Sequence, residues 1–414
     1  MSIIQLYIDP ATGSMLFSVI LGVFITAGFF VRILFIKLKT VLGGKSASLS
    51  EKNTYLIYSD DKRYWNSFSP VLNEFEKRKI DVAFWTSSAD DPAFSQNYKY
   101  VHPEFIGAGN KAFVKLNSAN ADILLSTTPG LEVLQWKRSK GVKKYVHIFH
   151  AATSALTYRM FGLDFYDVVL TASDFQLEEM RIVEKMRKIK QKEAKVVGLT
   201  YFDVLSDKLK NAGKPEKTNK IILLAPSWGK SGMLYKFGDK IIDSLISTGY
   251  DIVFRPHPQS FVADKEMLER IKEKYSGCKN FSWNSDIDNF DILNKADLLI
   301  SDFSGVVFDF SIVFGKPIMY TSVKGFDDSV YDCAWVKQEL WKFKVLPTIG
   351  CEITEDGLDD LKVKIDETIS STKYEEGIKA AREHAWKNQH HAAESIVDYV
   401  VDLESRLNES AEVK

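Results

Sequence analysis

The sequence lacks the signatures of several large protein classes. Its 414 residues include three cysteines, Cys278, Cys333 and Cys351, whose spacing fits neither a metal knuckle nor a disulfide framework. It has no G-x-G-x-x-G stretch and no G-x4-G-K-[ST] loop, which disfavours dinucleotide dehydrogenases and P-loop ATPases. Carboxylates are not clustered, so we expect no metal site and no resident cofactor, although Mg²⁺ could arrive with a nucleotide.

Charge gives no indication of a nucleic-acid partner. Lys+Arg total 54 and Asp+Glu total 55, a formal net charge of −1, so bulk attraction to nucleic acid is not expected. An apolar content of 45% and a charged content of 26% describe a globular chain. Its length is sufficient for two domains.

A long uncharged stretch lies near the N-terminus. Residues 15–31 carry no charge, and Arg32 separates them from the apolar residues 33–36. This length spans a bilayer if Arg32 snorkels to the surface. Asp9 precedes the stretch and Lys37 follows it, an order that predicts a single-pass membrane anchor with the rest of the chain in the cytoplasm. A buried or membrane-surface helix is the alternative.

The remainder alternates between short apolar runs and segments of helical periodicity. This alternation predicts an α/β fold with two doubly wound, Rossmann-type domains facing each other across a cleft, preceded by a transmembrane helix. The expected helices include Trp65–Lys79, Leu131–Arg138 and Val306–Val313. The predicted parts are an anchor (1–39), a linker (40–52), a first α/β domain (53–206), an interdomain linker (207–219), a second α/β domain (220–372) and a helical segment (373–414).

Polar residues follow four predicted strands, at the edge where doubly wound sheets bind ligands. His150 ends the run Lys144–Phe149, and the ordinary pKa of histidine, about 6.5, suits a general base. His147 lies in the same run and is expected to be packed in the core. Ser227 follows Ile221–Ala225, and the residues at this strand end could form one wall of a nucleotide site.

The other two strand ends indicate a diphosphate site. Arg255 and His257 lie in the segment Arg-Pro-His-Pro, where the prolines remove backbone donors and leave the polar contacts to the side chains. The last strand leads into Ser301-Asp302-Phe303-Ser304-Gly305 at the start of an apolar helix. Free N–H groups at a helix start suit phosphate, so Ser301, Asp302, Ser304 and Gly305 are candidate ligands, with helix capping as the alternative for Asp302.

These strand ends resemble the CDP-glycerol glycerophosphotransferase family, the teichoic-acid polymerases and primases. The resemblance covers about residues 140 to 400 and depends mainly on residues 255–258 and 301–310, with support from 225–228 and 315–318. It implies a GT-B fold whose domain 53–206 binds the acceptor and whose domain 220–372 binds the nucleotide. His150 and His257 would be the catalytic histidines, with Ser227, Arg255, His257, Ser301, Asp302, Ser304 and Gly305 at the donor.

The resemblance implies a membrane enzyme that transfers a polyol phosphate from a CDP-polyol to a lipid-linked or membrane-presented glycan. The expected partners are therefore that donor, that acceptor and membrane lipid. The sequence departs from the family at Phe149-His150-Ala151-Ala152-Thr153, where the family has Trp-His-Gly-Thr-Pro and a basic residue. Two alternatives stay open: a GT-B glycosyltransferase using a UDP- or GDP-sugar, and a non-catalytic, membrane-tethered assembly protein.

Overall fold

The structure, a computed structural model, describes residues 52–322, 324, 326–336 and 339–412. Residues 52–414 form one compact unit. The predicted membrane anchor (1–39) and nearly all of the predicted linker (40–52) lie outside the described residues. Within the described ranges, no helix combines the length and the apolar character that crossing a membrane requires.

Seven parallel strands form the first sheet, in the order β3-β2-β1-β4-β5-β6-β7. Its central strands are buried along almost their whole length, as expected for a sheet covered on both faces. The strands are β1 (Asn53–Ser59), β2 (Val82–Thr86), β3 (Val101–Phe105), β4 (Asn120–Ser126), β5 (Gly141–Ile148), β6 (Val168–Thr171) and β7 (Glu193–Val196).

Four α-helices of the first half accompany this sheet, and the C-terminal helix Ala392–Glu412 packs on the same face as the first of them. The first buries Phe68, Val71, Leu72 and Phe75, which recur at the three- and four-residue spacing of one helix face. It ends at Lys79, whose φ of 59° is left-handed. The helices are α1 (Trp65–Arg78), α2 (Asn110–Leu116), α3 (Asp174–Arg187) and α4 (Thr200–Asn211).

Six parallel strands form the second sheet, in the order β10-β9-β8-β11-β12-β13. The strands are β8 (Ile221–Leu224), β9 (Asp251–Phe254), β10 (Phe281–Trp283), β11 (Leu298–Ser301), β12 (Ile318–Thr321) and β13 (Gly350–Ile353). The remaining helices, in chain order, are α5 (Met233–Phe237), α6 (Lys240–Ser247), α7 (Ser260–Ala263), α8 (Lys265–Lys274), α9 (Phe290–Lys295), α10 (Val306–Phe308), α11 (Trp341–Ile349), α12 (Leu361–Ser370), α13 (Glu375–Ala385) and α14 (Ala392–Glu412).

One hydrophobic cluster joins the two sheets. It contains Leu56 and Leu124 from the first sheet, Leu223 and Leu299 from the second, and Trp386 from the segment after α13. Separate clusters cover the opposite face of each sheet. Burial of this shared apolar surface holds the halves together as one compact unit.

Both sheets reverse their strand order at a central point, which positions the site. The reversal lies between β1 and β4 in the first sheet and between β8 and β11 in the second. Ligands of open α/β sheets bind beyond the carboxyl ends of the strands at this switch point. The loops after β1, β4, β8 and β11 are therefore where function is expected.

The structure corrects several predicted elements. Residues 131–138 are a turn and not a helix: the N–H of Glu132 donates to the carbonyl of Trp136 at 2.8 Å, the reverse of the helical direction. Helix α4 continues to Asn211, into the predicted interdomain linker. The predicted helix at Val306–Val313 is three α-helical residues followed by a π-helical turn, Asp309–Val313.

Candidate active site

His150 lies two residues beyond β5, at the carboxyl edge of the first sheet. Its Nδ1 is 2.7 Å from Oγ1 of the buried Thr127, which follows β4. The ring of Tyr64 packs against the imidazole, with ring centroids 4.7 Å apart. These contacts fix the imidazole through Nδ1 and leave Nε2 as the nitrogen available to a substrate.

The neighbouring His147 has the packing role expected from sequence. It is fully buried, its Nε2 lies 3.2 Å from the hydroxyl of Tyr158, and its ring meets those of Phe149 and Tyr166. Burial lowers the pKa of His147 well below 6.5, so the imidazole is an uncharged part of the core.

The residues after His150 are held by helix α3. The amide of Gln176 donates to the carbonyls of Ala151 and Thr153 at 3.1 and 2.8 Å. The carboxyl group of Glu179 accepts from Ser154 Oγ and from the N–H of Ala155, both at 2.8 Å. Chiefly through burial, the pKa of Glu179 is raised to about 7. Helix α3 therefore anchors the part of the loop in which the sequence departs from the family pattern.

Sequence reasoning missed the turn after β1, residues 60–64. Asp61 caps this turn by accepting from the N–H of Arg63 at 2.9 Å, and Nε of Arg63 lies 3.0 Å from the same carboxylate. About half of the Arg63 side chain is exposed. A polar run directly after an apolar strand was the available signal, because it matches the pattern of the four strand ends that were recognised.

His257 and Arg255 lie beyond β9 in the second sheet. Nδ1 of His257 accepts from the N–H of Gln259 at 3.1 Å, so a neutral ring carries its proton on Nε2, where it can donate to a ligand. The guanidinium of Arg255 donates to Asn284 Oδ1 and, at 2.8 Å, to the carbonyl of Asp286. Arg255 therefore has partners within the protein and stabilises the segment after β10.

The side chains of Ser301 and Asp302, which were predicted to bind the donor, form hydrogen bonds within the protein. Both are fully buried. Ser301 Oγ donates to the carbonyl of Ala225 at 2.6 Å. Asp302 accepts from the N–H of Ser227 at 3.1 Å and from that of Met233 at 2.9 Å. Asp302 therefore holds the β8–α5 loop, including the start of α5, instead of capping the helix that follows it.

Ser227, Ser304 and Gly305 lie around this buried aspartate. Ser227 is mostly buried, and the hydrogen bond from its N–H to Asp302 fixes its position. Ser304 and Gly305 are partly exposed, and the space beside Gly305 is open to at least 4 Å. The first backbone bonds of the following turn run from Val307 to Ser304 and from Phe308 to Gly305, so the preceding N–H groups point out of the helix start.

Both candidate histidines are neutral at pH 7. Burial, and then the positive charge of Arg63, lower the pKa of His150 to about 4. The same two causes, partly offset by Asp264, lower the pKa of His257 to about 4. The charge of Arg63, which follows a strand of the first sheet, therefore acts on one histidine in each half.

Two sizeable cavities of the described residues lie away from these strand ends. One of about 530 Å³ is lined by residues such as Lys214, Lys316 and Tyr374, and one of about 630 Å³ by residues such as Lys208 and Phe290. The chemistry of the strand ends, and not cavity size, therefore identifies the candidate site. Within the part of the chain that the structure describes, no group of three or more His, Cys, Asp or Glu side chains is arranged to hold a metal ion.

Solved structures with this architecture include UDP-N-acetylglucosamine 2-epimerases. That of Rickettsia bellii has a TM-score of 0.57 and 12% identity, over 88% of this chain and 100% of that chain. That of Methanocaldococcus jannaschii, in complex with UDP-GlcNAc and UDP, has a TM-score of 0.55 and 14% identity, over 85% and 99%. Such identities establish the fold alone, and they confirm a GT-B-like α/β fold with parallel sheets.

Sequence comparison identifies the family. No curated protein sequence matches this chain. The sequence model of CDP-Glycerol:Poly(glycerophosphate) glycerophosphotransferase matches residues 48–324, more than half of the chain. The match includes the segments after β9 and β11 that carried most of the resemblance, and also the segment after β5 that departs from the family pattern. The chain therefore belongs to the CDP-glycerol:poly(glycerophosphate) glycerophosphotransferase family and is a transferase.

Proposed function

We propose that this protein transfers a polyol phosphate, glycerol phosphate or a close relative, from a CDP-polyol to a hydroxyl of a cell-envelope glycan or lipid-linked acceptor and releases CMP. The supporting observation is the pair His150 and His257, each held through Nδ1 at the carboxyl edge of a different sheet. With one neutral imidazole in each half, one can act as a general base and the other can donate a hydrogen bond to the diphosphate.

His150 is the base in this proposal. With Nδ1–H donated to Thr127 Oγ1, Nε2 holds the lone pair that takes the proton of the acceptor hydroxyl. The acceptor oxygen bonds to the β-phosphorus as the bond from that phosphorus to the bridging oxygen breaks. The electron pair leaves with CMP, and the proton remains on His150. A positioned base of this kind contributes roughly 10²- to 10⁴-fold.

His257 and the turn at Ser304 would hold the donor. Nε2–H of His257 can donate to a diphosphate oxygen, and the outward N–H groups at Ser304 and Gly305 add neutral donors. Such donors stabilise charge that develops on the phosphoryl oxygens and on the leaving group. Mg²⁺ arriving with the nucleotide would add a further positive charge.

The N-terminal segment would hold the enzyme at the membrane. Residues 15–31 are uncharged, a length close to that needed to span a bilayer. The proposed location is the cytoplasmic side of the cell membrane, with a single span. An enzyme confined to the bilayer surface meets a bilayer-confined acceptor more often than a freely diffusing enzyme does.

A sugar transferase is the second candidate. The UDP-sugar enzymes of similar fold make a UDP- or GDP-sugar donor chemically reasonable, with attack at the anomeric carbon in place of phosphorus. A non-catalytic assembly protein is the third, because Ala151 and Ala152 replace family residues. The released nucleotide separates these three possibilities.

The test is nucleotide release by the detergent-solubilised full chain with membrane lipid extract. CDP-glycerol, CDP-ribitol, UDP-sugars and GDP-sugars are offered to the wild type, His150→Ala and His257→Ala, with His102→Ala as a control at an exposed histidine. We expect CMP from a CDP-polyol, abolished in the first two variants and unchanged in the third. Release of UMP, UDP, GMP or GDP alone would contradict the proposal in favour of a sugar transferase, and nucleotide binding without release would favour the assembly protein.

A further inference from the structure

The candidate site needs a cation that its histidines do not supply. A CDP-polyol carries two negative phosphates, and such charge is bound by charge-assisted hydrogen bonds. His150 and His257 are uncharged at neutral pH. The guanidinium of Arg255 already has two oxygen partners within the protein.

Arg63 occupies the switch point of the first sheet. It follows β1, next to the reversal in strand order between β1 and β4. The adjacent Tyr64 contacts His150 through its ring, and the Arg63 charge reaches both His150 and His257. Arg63 therefore lies next to a residue that contacts the proposed base, and its charge also acts on the donor histidine of the opposite half.

The side chain of Arg63 has free binding capacity. Nε lies 3.0 Å from Asp61 Oδ1, an internal contact that holds the side chain. Among the described residues, no hydrogen bond uses its two terminal nitrogens, and about half of the side chain is exposed. Two parallel N–H groups on one planar fork match two oxygens of a phosphate.

We propose that Arg63 binds the diphosphate of the nucleotide donor across the cleft, through its terminal nitrogens, with the phosphate that is transferred as its main contact. This inference rests on the proposed function for the identity of the donor. It assigns to the first half a donor contact in addition to its acceptor role, so the site is complete only when both halves are present.

The experiment compares the binding of nucleotide di- and monophosphates to the detergent-solubilised full chain by calorimetry. CDP and CMP are the probes, and the variants are Arg63→Gln, Arg63→Lys and Lys62→Gln. Lys62 is the matched control, because it has the same charge on the same turn but pairs with Asp90. Circular dichroism verifies that each variant is folded.

We expect Arg63→Gln to weaken CDP binding by about 10- to 100-fold, the effect of one hydrogen bond to a charged group. CMP binding should change by less than about twofold, because CMP lacks the second phosphate. Arg63→Lys should be intermediate, since it retains charge without the planar fork, and Lys62→Gln should match the wild type. In turnover, Arg63→Gln should lower kcat/KM by about 10²- to 10³-fold.

Unchanged CDP binding by Arg63→Gln would overturn this inference even if CMP release were observed. If the wild type released no CMP but bound UDP, the proposed function would fail. The effect of Arg63→Gln would then be measured on the binding of UDP and UMP in place of CDP and CMP. A wild type that bound none of these diphosphates would overturn the inference as well.

Discussion

At the scale of single residues, burial determines what the two candidate histidines can do. A buried imidazole loses solvation most in its charged form, so its pKa falls. For His150 and His257 the nearby Arg63 acts in the same direction. His150 can therefore accept a proton at neutral pH, and His257 can donate a hydrogen bond but adds no charge.

The pH dependence of kcat/KM should show this neutrality. With pKa values lowered to about 4, both histidines stay unprotonated well below pH 6.5, so activity should be constant from pH 7 to near pH 5 and fall only below that. The measurement is CMP release at subsaturating CDP-glycerol across this range. Each phosphorus of the donor carries one acidic oxygen that is already ionised, so the diphosphate itself does not titrate here. An acidic limb centred near pH 6.5 would contradict the assignment.

Asp302 is the residue whose loss should most affect the donor side. Its carboxylate accepts from the buried N–H groups of Ser227 and Met233. Asp302→Ala leaves both donors without a partner, so we expect a loss of about 3 kcal/mol in the free energy of unfolding. Asp302→Asn keeps one acceptor oxygen and should lose less. Urea denaturation measures both values, and Asp327→Ala, at an exposed aspartate, is the control.

If Asp302→Ala unfolded at the same urea concentration as Asp327→Ala, the β8–α5 loop would not depend on this carboxylate. Where Asp302→Ala remains folded, nucleotide binding should also be weaker, because Ser227 lies on that loop. A wild-type nucleotide affinity would contradict this second expectation and would separate the loop from the donor site.

At the scale of elements, the sequence predicts what is local and misses what depends on packing. Strands β5, β8, β9 and β11 were predicted because apolar runs followed by polar residues mark buried parallel strands. Strands β3 and β10 were missed because they are short edge strands whose side chains are largely exposed. The predicted helix at residues 131–138 has suitable local periodicity, but contacts of Glu132 with Trp136 and Arg138 close a turn instead.

The site residues divide in the same way. His150 and His257 could be proposed from the sequence because a histidine shortly after an apolar strand is a local signal. Ser301 and Asp302 were placed at the correct strand end, but whether such side chains point inward or outward is decided by neighbouring strands that the sequence does not specify. The same limit applies to Arg63, since its proximity to both histidines depends on how the halves meet.

Helix α3 should control the geometry of the catalytic loop. Gln176 holds the carbonyls of Ala151 and Thr153, so Gln176→Ala should lower kcat by about 10-fold, the cost of misplacing His150, with little change in KM for the donor. Hydrogen exchange at residues 151–155 should become faster. The matched control is Glu178→Ala, at an exposed position on the same helix.

A Gln176→Ala variant with wild-type kcat would show that α3 does not position the loop. A rise in donor KM at constant kcat would also contradict the prediction, because the loop belongs to the proposed acceptor half. Gln176→Glu is not expected to restore kcat, since a carboxylate cannot donate to the two carbonyls.

At the scale of the whole molecule, a segment of the second half is fastened to the first. Tyr331 pairs with Arg159 in an antiparallel bridge, and the N–H of Asp332 donates to the carbonyl of Tyr158 at 3.0 Å. The carboxylate of Asp332 meets the buried guanidinium of Arg187, which also binds Asp164 at 2.7 Å. Together with the shared hydrophobic cluster, these contacts hold the half that carries His150 against the half that carries His257.

Removing one partner of this buried ion pair should loosen the two halves. Asp332→Ala leaves Arg187 with Asp164 as its only acidic partner in a buried site. Breaking a buried ion pair costs about 3–5 kcal/mol in the free energy of unfolding. Because Asp164 remains, we expect urea denaturation to show a loss of about 3 kcal/mol. The control is Asp328→Ala, which removes an exposed charge four residues earlier. Small-angle scattering should then show a larger radius of gyration for folded Asp332→Ala, and kcat should fall because the base and the donor histidine no longer keep a fixed separation. Equal unfolding and equal scattering for the two variants would mean that the hydrophobic cluster alone sets the width of the cleft.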